Sequence, residues 1–150
     1  MNKSIAVLLT CHNRKTKTLN CLNSLYGATI PNGYNLDIFL VDDGSTDGTF
    51  ESVNMEYPEV NIIKGDGTLY WSRGMHTAWK VAAKRRDYDV YLWINDDTFL
   101  YQNALQIILR AAEKTSFTSI VCGNTCSEKD GSVTYGGSIS KGESLLVPNG

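Results

Sequence analysis

The residues best suited to chemistry stand in clusters, each directly after a short apolar run. Asp42-Asp43-Gly44-Ser45 follows Leu36 to Val41, and Asn95-Asp96-Asp97 follows Val90 to Ile94. Crowded carboxylates repel one another unless a cation or a hydrogen-bond donor sits among them. Their oxygens suit a hard divalent ion such as Mg²⁺ or Mn²⁺, able to bridge to a diphosphate. Either pair alone reads equally well as turn chemistry, the carboxylate bonding nearby backbone amides. Two pairs at matching positions favour a functional site. Two more polar clusters complete the set: Thr10-Cys11-His12-Asn13-Arg14 after Ile5 to Leu9, and Gly65-Asp66-Gly67 after Val60 to Ile63.

The apolar runs that precede these clusters are short and rich in β-branched or aromatic residues, the pattern of strands buried on both faces. A fifth run, Ser119 to Cys122, is weaker. Between the runs the spacing turns helical: Leu19, Leu22, Leu25 and Tyr26; then Phe50 and Val53; then Met75, Ala78, Trp79 and Ala82; then Leu105, Ile108, Leu109 and Ala112. Alternating strand and helix predict an α/β fold, Rossmann-like, with a mostly parallel sheet and helices on both faces. In such sheets ligands bind outside the carboxyl ends of the strands, where all four polar clusters fall. Ser45-Thr46-Asp47 offers a helix N-cap after the second strand. We expect one domain over residues 1–150, with a core to about residue 127; from 128 the chain turns Gly- and Ser-rich, with short strands at Val133 to Tyr135 and Leu145 to Val147.

Composition narrows the function classes. The 150 residues are 42% hydrophobic and carry a formal charge of -2, so no broad positive field invites nucleic acid. Lys84-Arg85-Arg86 complements the end of the third helix. Cys11, Cys21, Cys122 and Cys126 form no C-x-x-C pair and read as reduced and partly buried, which points to the cytoplasm. No 18-residue apolar run is present, so no transmembrane segment is expected.

The clusters also carry a family resemblance. Val41-Asp42-Asp43-Gly44-Ser45-Thr46-Asp47-Gly48-Thr49 resembles the hallmark segment of family 2 glycosyltransferases, whose fold is called GT-A. Thr10-Cys11-His12-Asn13-Arg14 resembles their first-strand motif, usually written with Tyr where His12 stands. Leu92-Trp93-Ile94-Asn95-Asp96-Asp97 is similar to their metal-binding DxD segment, here Asn-Asp-Asp. The stretch Gly65 to Met75 is similar to a loop of bacterial members that build cell-surface polysaccharides. The likeness covers residues 4–98 and is loose beyond them.

The resemblance implies roles for individual residues. Thr10 and His12 would line the nucleobase pocket. Asp43 would accept a hydrogen bond from the imide N–H of the base, selecting uracil or thymine, and Asp66 would close over the base. Asp96 would contact the ribose, and Asp97 would bind the Mn²⁺ or Mg²⁺ that holds the diphosphate of a UDP- or dTDP-sugar. The acceptor it implies is a glycan or lipid-linked glycan, with peripheral attachment at the inner membrane face. His76 and Ala78 depart from the family's usual Asn and Gly, which bears on the choice of sugar. No residue is assigned as catalytic base: Glu128, Asp130 and Glu143, the acidic residues after position 113, read as solvated loop charges. Residues 128–150 then read as the start of an incomplete acceptor-side region, and the chain as the donor-binding half of a longer transferase.

Other readings fare less well. A signalling receiver domain expects its acidic pair after the first strand, where Thr10-Cys11-His12 stands. A nucleotidyltransferase or a dinucleotide-binding domain expects a Gly-rich loop there, and residues 10–14 contain no glycine. A sugar-nucleotide-binding domain without turnover is the remaining alternative.

Overall fold

The computed structural model describes residues 2–127, 129–135, 139–141 and 144–146, and the chain divides into two compact units, Met1–Gln106 and Ile107–Gly150. The first unit holds strands β1 (Lys3–Cys11), β2 (Tyr34–Asp42), β3 (Asn61–Lys64) and β4 (Val90–Trp93), with helices α1 (Lys15–Gly27), α2 (Thr49–Glu56) and α3 (Tyr70–Arg85) between them. Helix α4 (Ala104–Lys114) runs across the boundary. The second unit adds the antiparallel pairs β5 (Thr125–Cys126) with β6 (Val133–Tyr135) and β7 (Ile139–Lys141) with β8 (Ser144–Leu146).

The main sheet is parallel throughout, in the order β3-β2-β1-β4. Its chain path explains the two helical layers. From β1 through β2 to β3 the chain steps one way, and from β3 to β4 it returns across the sheet. Right-handed crossovers therefore place α1 and α2 on one face and α3 on the other. Side chains alternate along a strand, and the burial follows. Ala6 and Leu8 of β1 join Phe39 and Val41 of β2 beneath Met75, Ala78 and Ala82 of α3, a cluster closed by Tyr88. Ile5, Val7 and Leu9 point the other way and are equally buried, as are Leu22, Leu25 and Val53 of α1 and α2.

All four expected strands and all four helices form, but several details differ from the sequence reading. Among the described residues β3 and β4 are the edges of the sheet, each with a neighbour on one side alone, and both are only half-buried. Residues 119–122 join no sheet; Ile120 is fully exposed, and the next strand begins at Thr125. Cys11 and Cys21 are buried, as expected, whereas Cys122 and Cys126 are exposed. Helix α3 starts at Tyr70, so Trp71 belongs to its first turn rather than to a loop. β8 covers Ser144–Leu146, and Val147 lies outside the described residues.

One contact sets how closely α3 can approach β1 at the edge where the polar clusters gather. A Cβ on Gly74 would stand 2.3 Å from Thr10 Oγ1 and 2.9 Å from Thr10 Cβ. Only glycine lets the helix lie this close, so Gly74→Ala must push α3 off the strand. We expect a loss of about 1–3 kcal/mol of stability, the usual cost of overpacking, measurable by urea unfolding; an unchanged midpoint would show that helix and strand separate freely.

Candidate donor-binding site

The turns after β1, β2, β3 and β4 meet at one edge of the sheet, and the direction of winding reverses between β1 and β4. That reversal opens the crevice in which open α/β sheets hold their ligands. Six aspartates stand in these turns, and the structure answers each carboxylate differently.

Asp43 is 3% exposed, and backbone amides take both of its oxygens. Gly67 N–H donates to Oδ1 at 2.9 Å, while Leu69 and Tyr70 N–H both donate to Oδ2 at 2.9 Å. The carboxylate thus caps α3 from a distant turn, since the helix has no side-chain cap of its own. Tyr70 is held by this bond at φ 53, a left-handed conformation that a bulky residue adopts only when its surroundings impose it. Asp42 accepts from Ser45 N–H at 3.0 Å, the short turn expected of Asp-Asp-Gly, with Gly44 supplying φ 70.

Asp47 joins two helices. Its Oδ2 accepts Lys15 N–H of α1 at 2.9 Å, and its Oδ1 accepts both the amide and the hydroxyl of Thr49 at the start of α2. The N-cap position itself is Gly48, so the expected Ser45 to Asp47 cap acts one residue earlier, through Asp47 alone. These bonds, the Thr49 hydroxyl first, hold the Asp47 carboxyl below its ordinary value. Asp66, fully exposed, folds back on its own loop and accepts Thr68 N–H at 3.0 Å and Thr68 Oγ1 at 2.7 Å, which likewise lowers its value.

The turn after β1 is fastened to the turn after β2. Asn13, at φ 51, donates its backbone N–H to Ser45 Oγ at 2.9 Å, and its Oδ1 accepts Thr46 N–H at 2.7 Å. Its amide nitrogen is left to face His12 Nε2 at 3.1 Å. His12 Nδ1 donates to the Asp43 carbonyl at 2.5 Å, which leaves Nε2 facing the Asn13 amide. Thr10 is buried under α3 against Gly74, one strand away from Asp43.

Among the described residues, no amide of another residue bonds Asp96 or Asp97 in this way. Arg14 reaches across from the end of β1, placing Nη1 3.0 Å from Asp96 Oδ1 and Nη2 2.6 Å from Asp97 Oδ2. Lys17 of α1 stands 3.9 Å from Asp97. Asp96 is 4% exposed, and its Oδ2 is buried without a partner. Burial pushes the Asp96 carboxyl up and outweighs the opposing pull of Arg14. The segment that carries the pair is pinned to α1, with Cys21 Sγ donating to Asn95 O and Ser24 Oγ accepting Leu100 N–H. Asn95 Oδ1 also accepts Trp71 Nε1–H from α3 at 3.0 Å.

Thr10, His12, Asp43, Asp96 and Asp97 therefore share one edge, with Asp66 at the rim of the same loop that Asp43 organises. Arg14 and Trp71 were not singled out for these contacts by the sequence, nor was Asp47 for its bond to Lys15. Arg14 could have been, because a cation at the end of β1 is needed once β4 is placed beside it. Asp130 is exposed and accepts Ser132 N–H and Oγ within its own loop, as a loop charge should; Glu128 and Glu143 lie outside the described residues. His76 is exposed on α3.

Comparison with known proteins decides the family. The family described as "Glycosyl transferase family 2" matches residues 6–145. The chain belongs to it. Hyaluronan synthase of Streptococcus pyogenes is 30% identical over 113 residues, a match that covers 71% of this chain and 26% of that relative. The chain thus spans about a quarter of that relative's length. Among solved structures, S. aureus TarS 1-349 superposes with a TM-score of 0.57 at 21% identity, covering 76% of this chain and 33% of that one. The mannosyltransferase PcManGT of Pyrobaculum calidifontis, in complex with GDP-Man and Mn²⁺, gives 0.58 at 18% identity, covering 86% and 36%. The fold is that of GT-A glycosyltransferases, with its mostly parallel sheet.

Two outcomes test these assignments. Asp43→Ala leaves two amides at the start of α3, and that of Gly67 before it, without an acceptor, and we expect it to cost about 2–3 kcal/mol by urea unfolding and to speed amide exchange at Leu69 and Tyr70. Unchanged exchange there would rule out the cap. The Asp47 carboxyl is lowered in the folded state, so its ionised form stabilises the fold, and that contribution is lost as pH falls through the folded value. Asp47→Ala should therefore cost about 1 kcal/mol at pH 7, and the gap to the parent should narrow below about pH 4. A gap of equal size at pH 7 and pH 3 would show that the charge is not involved.

Proposed function

We propose that this edge binds a nucleoside diphosphate sugar whose base is uracil or thymine, together with Mn²⁺ or Mg²⁺. The complete protein would transfer the sugar to a hydroxyl of a glycan or lipid-linked acceptor in cell-surface polysaccharide synthesis, at the inner face of the membrane. The observation that carries this reading is the Asp96–Asp97 pair, one of whose buried oxygens has no donor, set at the topological switch point beside His12 and Asp43.

The donor set fits a cation of this kind. Among the described residues no group of three or more His, Cys, Asp or Glu side chains could enclose an ion. Mg²⁺-type ions, however, are commonly held by one or two carboxylates with substrate phosphates filling the other positions. Asp97, at the rim, would hold the ion, and the free Oδ2 of Asp96 would accept a ribose hydroxyl. A bound cation neutralises the diphosphate and so improves it as a leaving group.

The remaining roles belong to the chain's own groups. An ionised carboxylate offers about four lone-pair positions. Three amides occupy Asp43, leaving a position for the imide N–H of uracil or thymine, which guanine does not present in the same place. His12, held against the Asp43 carbonyl, and Thr10 would wall the base, and the Asp66 loop would close over it. TarS has been crystallised with UDP-GlcNAc and PcManGT with GDP-Man and Mn²⁺, so the fold admits both kinds of base. The preference proposed for this chain rests on Asp43. The S. pyogenes relative's name, hyaluronan synthase, supports a polysaccharide product.

Calorimetry with UDP, dTDP and GDP, each with and without Mn²⁺, tests the proposal. UDP or dTDP should bind only when Mn²⁺ is present, and GDP should not bind. Asp97→Ala should weaken Mn²⁺-dependent binding at least about tenfold, the scale of one lost contact to a charged group. Binding by Asp97→Ala equal to the parent's would make the cation assignment wrong, and failure of all three nucleotides would sink the donor-site reading.

A further inference from the structure

Asp42, Asp43, Asp47 and Asp66 all accept backbone amides, donors that cannot move away from them. Among the described residues, the partners that other elements bring to the pair at the end of β4 are side chains, which can. The guanidinium of Arg14 spans both carboxylates, at 3.0 Å to Asp96 and 2.6 Å to Asp97, and the Lys17 ammonium is 3.9 Å from Asp97. Arg14 is 38% exposed at its side chain, which sits on a long, rotatable stem. It engages only Oδ1 of Asp96, and the buried Oδ2 has no donor at all.

We propose that Arg14 is the resident counter-ion of the Asp96–Asp97 pair, competing with a divalent cation for these carboxylates and turning to the diphosphate when cation and nucleotide arrive together. The second half rests on the donor-site reading above. Charge balance explains the coupling. Two carboxylates facing Arg14 and Lys17 are close to neutral, so a divalent ion entering alone meets two cations already in place. A diphosphate restores the balance and gives the guanidinium a new partner, since its planar fork matches phosphate as well as carboxylate. Cation and nucleotide then favour each other's binding by the same factor, as linkage requires.

The test is Mn²⁺ binding, read by calorimetry and by the loss of free-ion paramagnetic resonance signal, on the full 150-residue chain. Parent, Arg14→Met and Arg14→Lys are each titrated with and without UDP. Arg14→Met should bind Mn²⁺ alone about five- to tenfold more tightly than the parent, and the factor by which UDP tightens Mn²⁺ should fall by a similar amount, within the usual range of coupling between sites. Arg14→Lys, which keeps a charge but not the fork, should lie between them. If Arg14→Met binds Mn²⁺ alone no more tightly than the parent, or none of the three binds it, the counter-ion proposal is overturned. Mn²⁺-dependent UDP binding by the parent would then leave the donor-site reading standing. If Arg14→Met does bind Mn²⁺ more tightly but UDP alters neither protein, the donor-site reading fails and the competition survives. A purely structural arginine would lower the melting temperature of Arg14→Met and leave both affinities as they were.

Discussion

Carboxylates gathered at one edge of a sheet need partners, and in this chain that need organises the loops. Each of the four strands delivers at least one polar turn to the same edge, and six aspartates stand among those turns. Without donors they would repel one another and resist burial. The structure answers four of them with main-chain N–H groups, several at helix starts, where unpaired amides and the helix dipole both favour a negative charge. Those four carboxylates become part of the scaffold. The other two, Asp96 and Asp97, are answered by the movable cations of Arg14 and Lys17 and are therefore the pair a ligand can take over.

The topology makes this division. β1 lies between β2 and β4, so its terminal turn faces both acidic clusters at once. Asn13 and His12 fasten that turn to the β2 side, and Arg14, the next residue, reaches the β4 side. Left-handed backbone at Asn13 is what lets adjacent side chains serve opposite neighbours. Asparagine tolerates that conformation better than most residues, which gives the Asn-Arg order in this turn a physical reason.

Much of this was legible in the sequence, because strand and helix periods are local. Ile5 to Leu9 and Leu36 to Val41 announce strands with no knowledge of their neighbours, and the clusters after them fall where parallel sheets place ligands. What could not be read was the partner of each charge. Asp43 and Asp97 look alike as members of acidic pairs, yet one caps a helix 24 to 27 residues away and the other meets an arginine 83 residues away. The half-burial of β3 and β4 escaped for a related reason. Hydropathy marks a strand but not its place in the sheet, and an edge strand as apolar as a central one reads the same. Residues 119–122 show the reverse failure, an apolar run with no sheet neighbour to pair with it.

The first turn of α3 ties the two parts of the proposed site together. Asp43, on the side assigned to the base, fixes the amides of Leu69 and Tyr70; one residue later, Trp71 donates its indole N–H to Asn95, the residue before Asp96. The base side and the cation side are thus set by the same helical turn, and Gly74 lets that turn lie directly on β1. A turn capped at Asp43, pressed on Thr10 and bonded to Asn95 cannot shift at one contact without straining the others. The spacing between the groups that would hold the base and those that would hold the diphosphate is therefore a property of the fold before any ligand arrives. A ligand that spans both sides would bind without first having to order them, which is how preorganisation raises affinity.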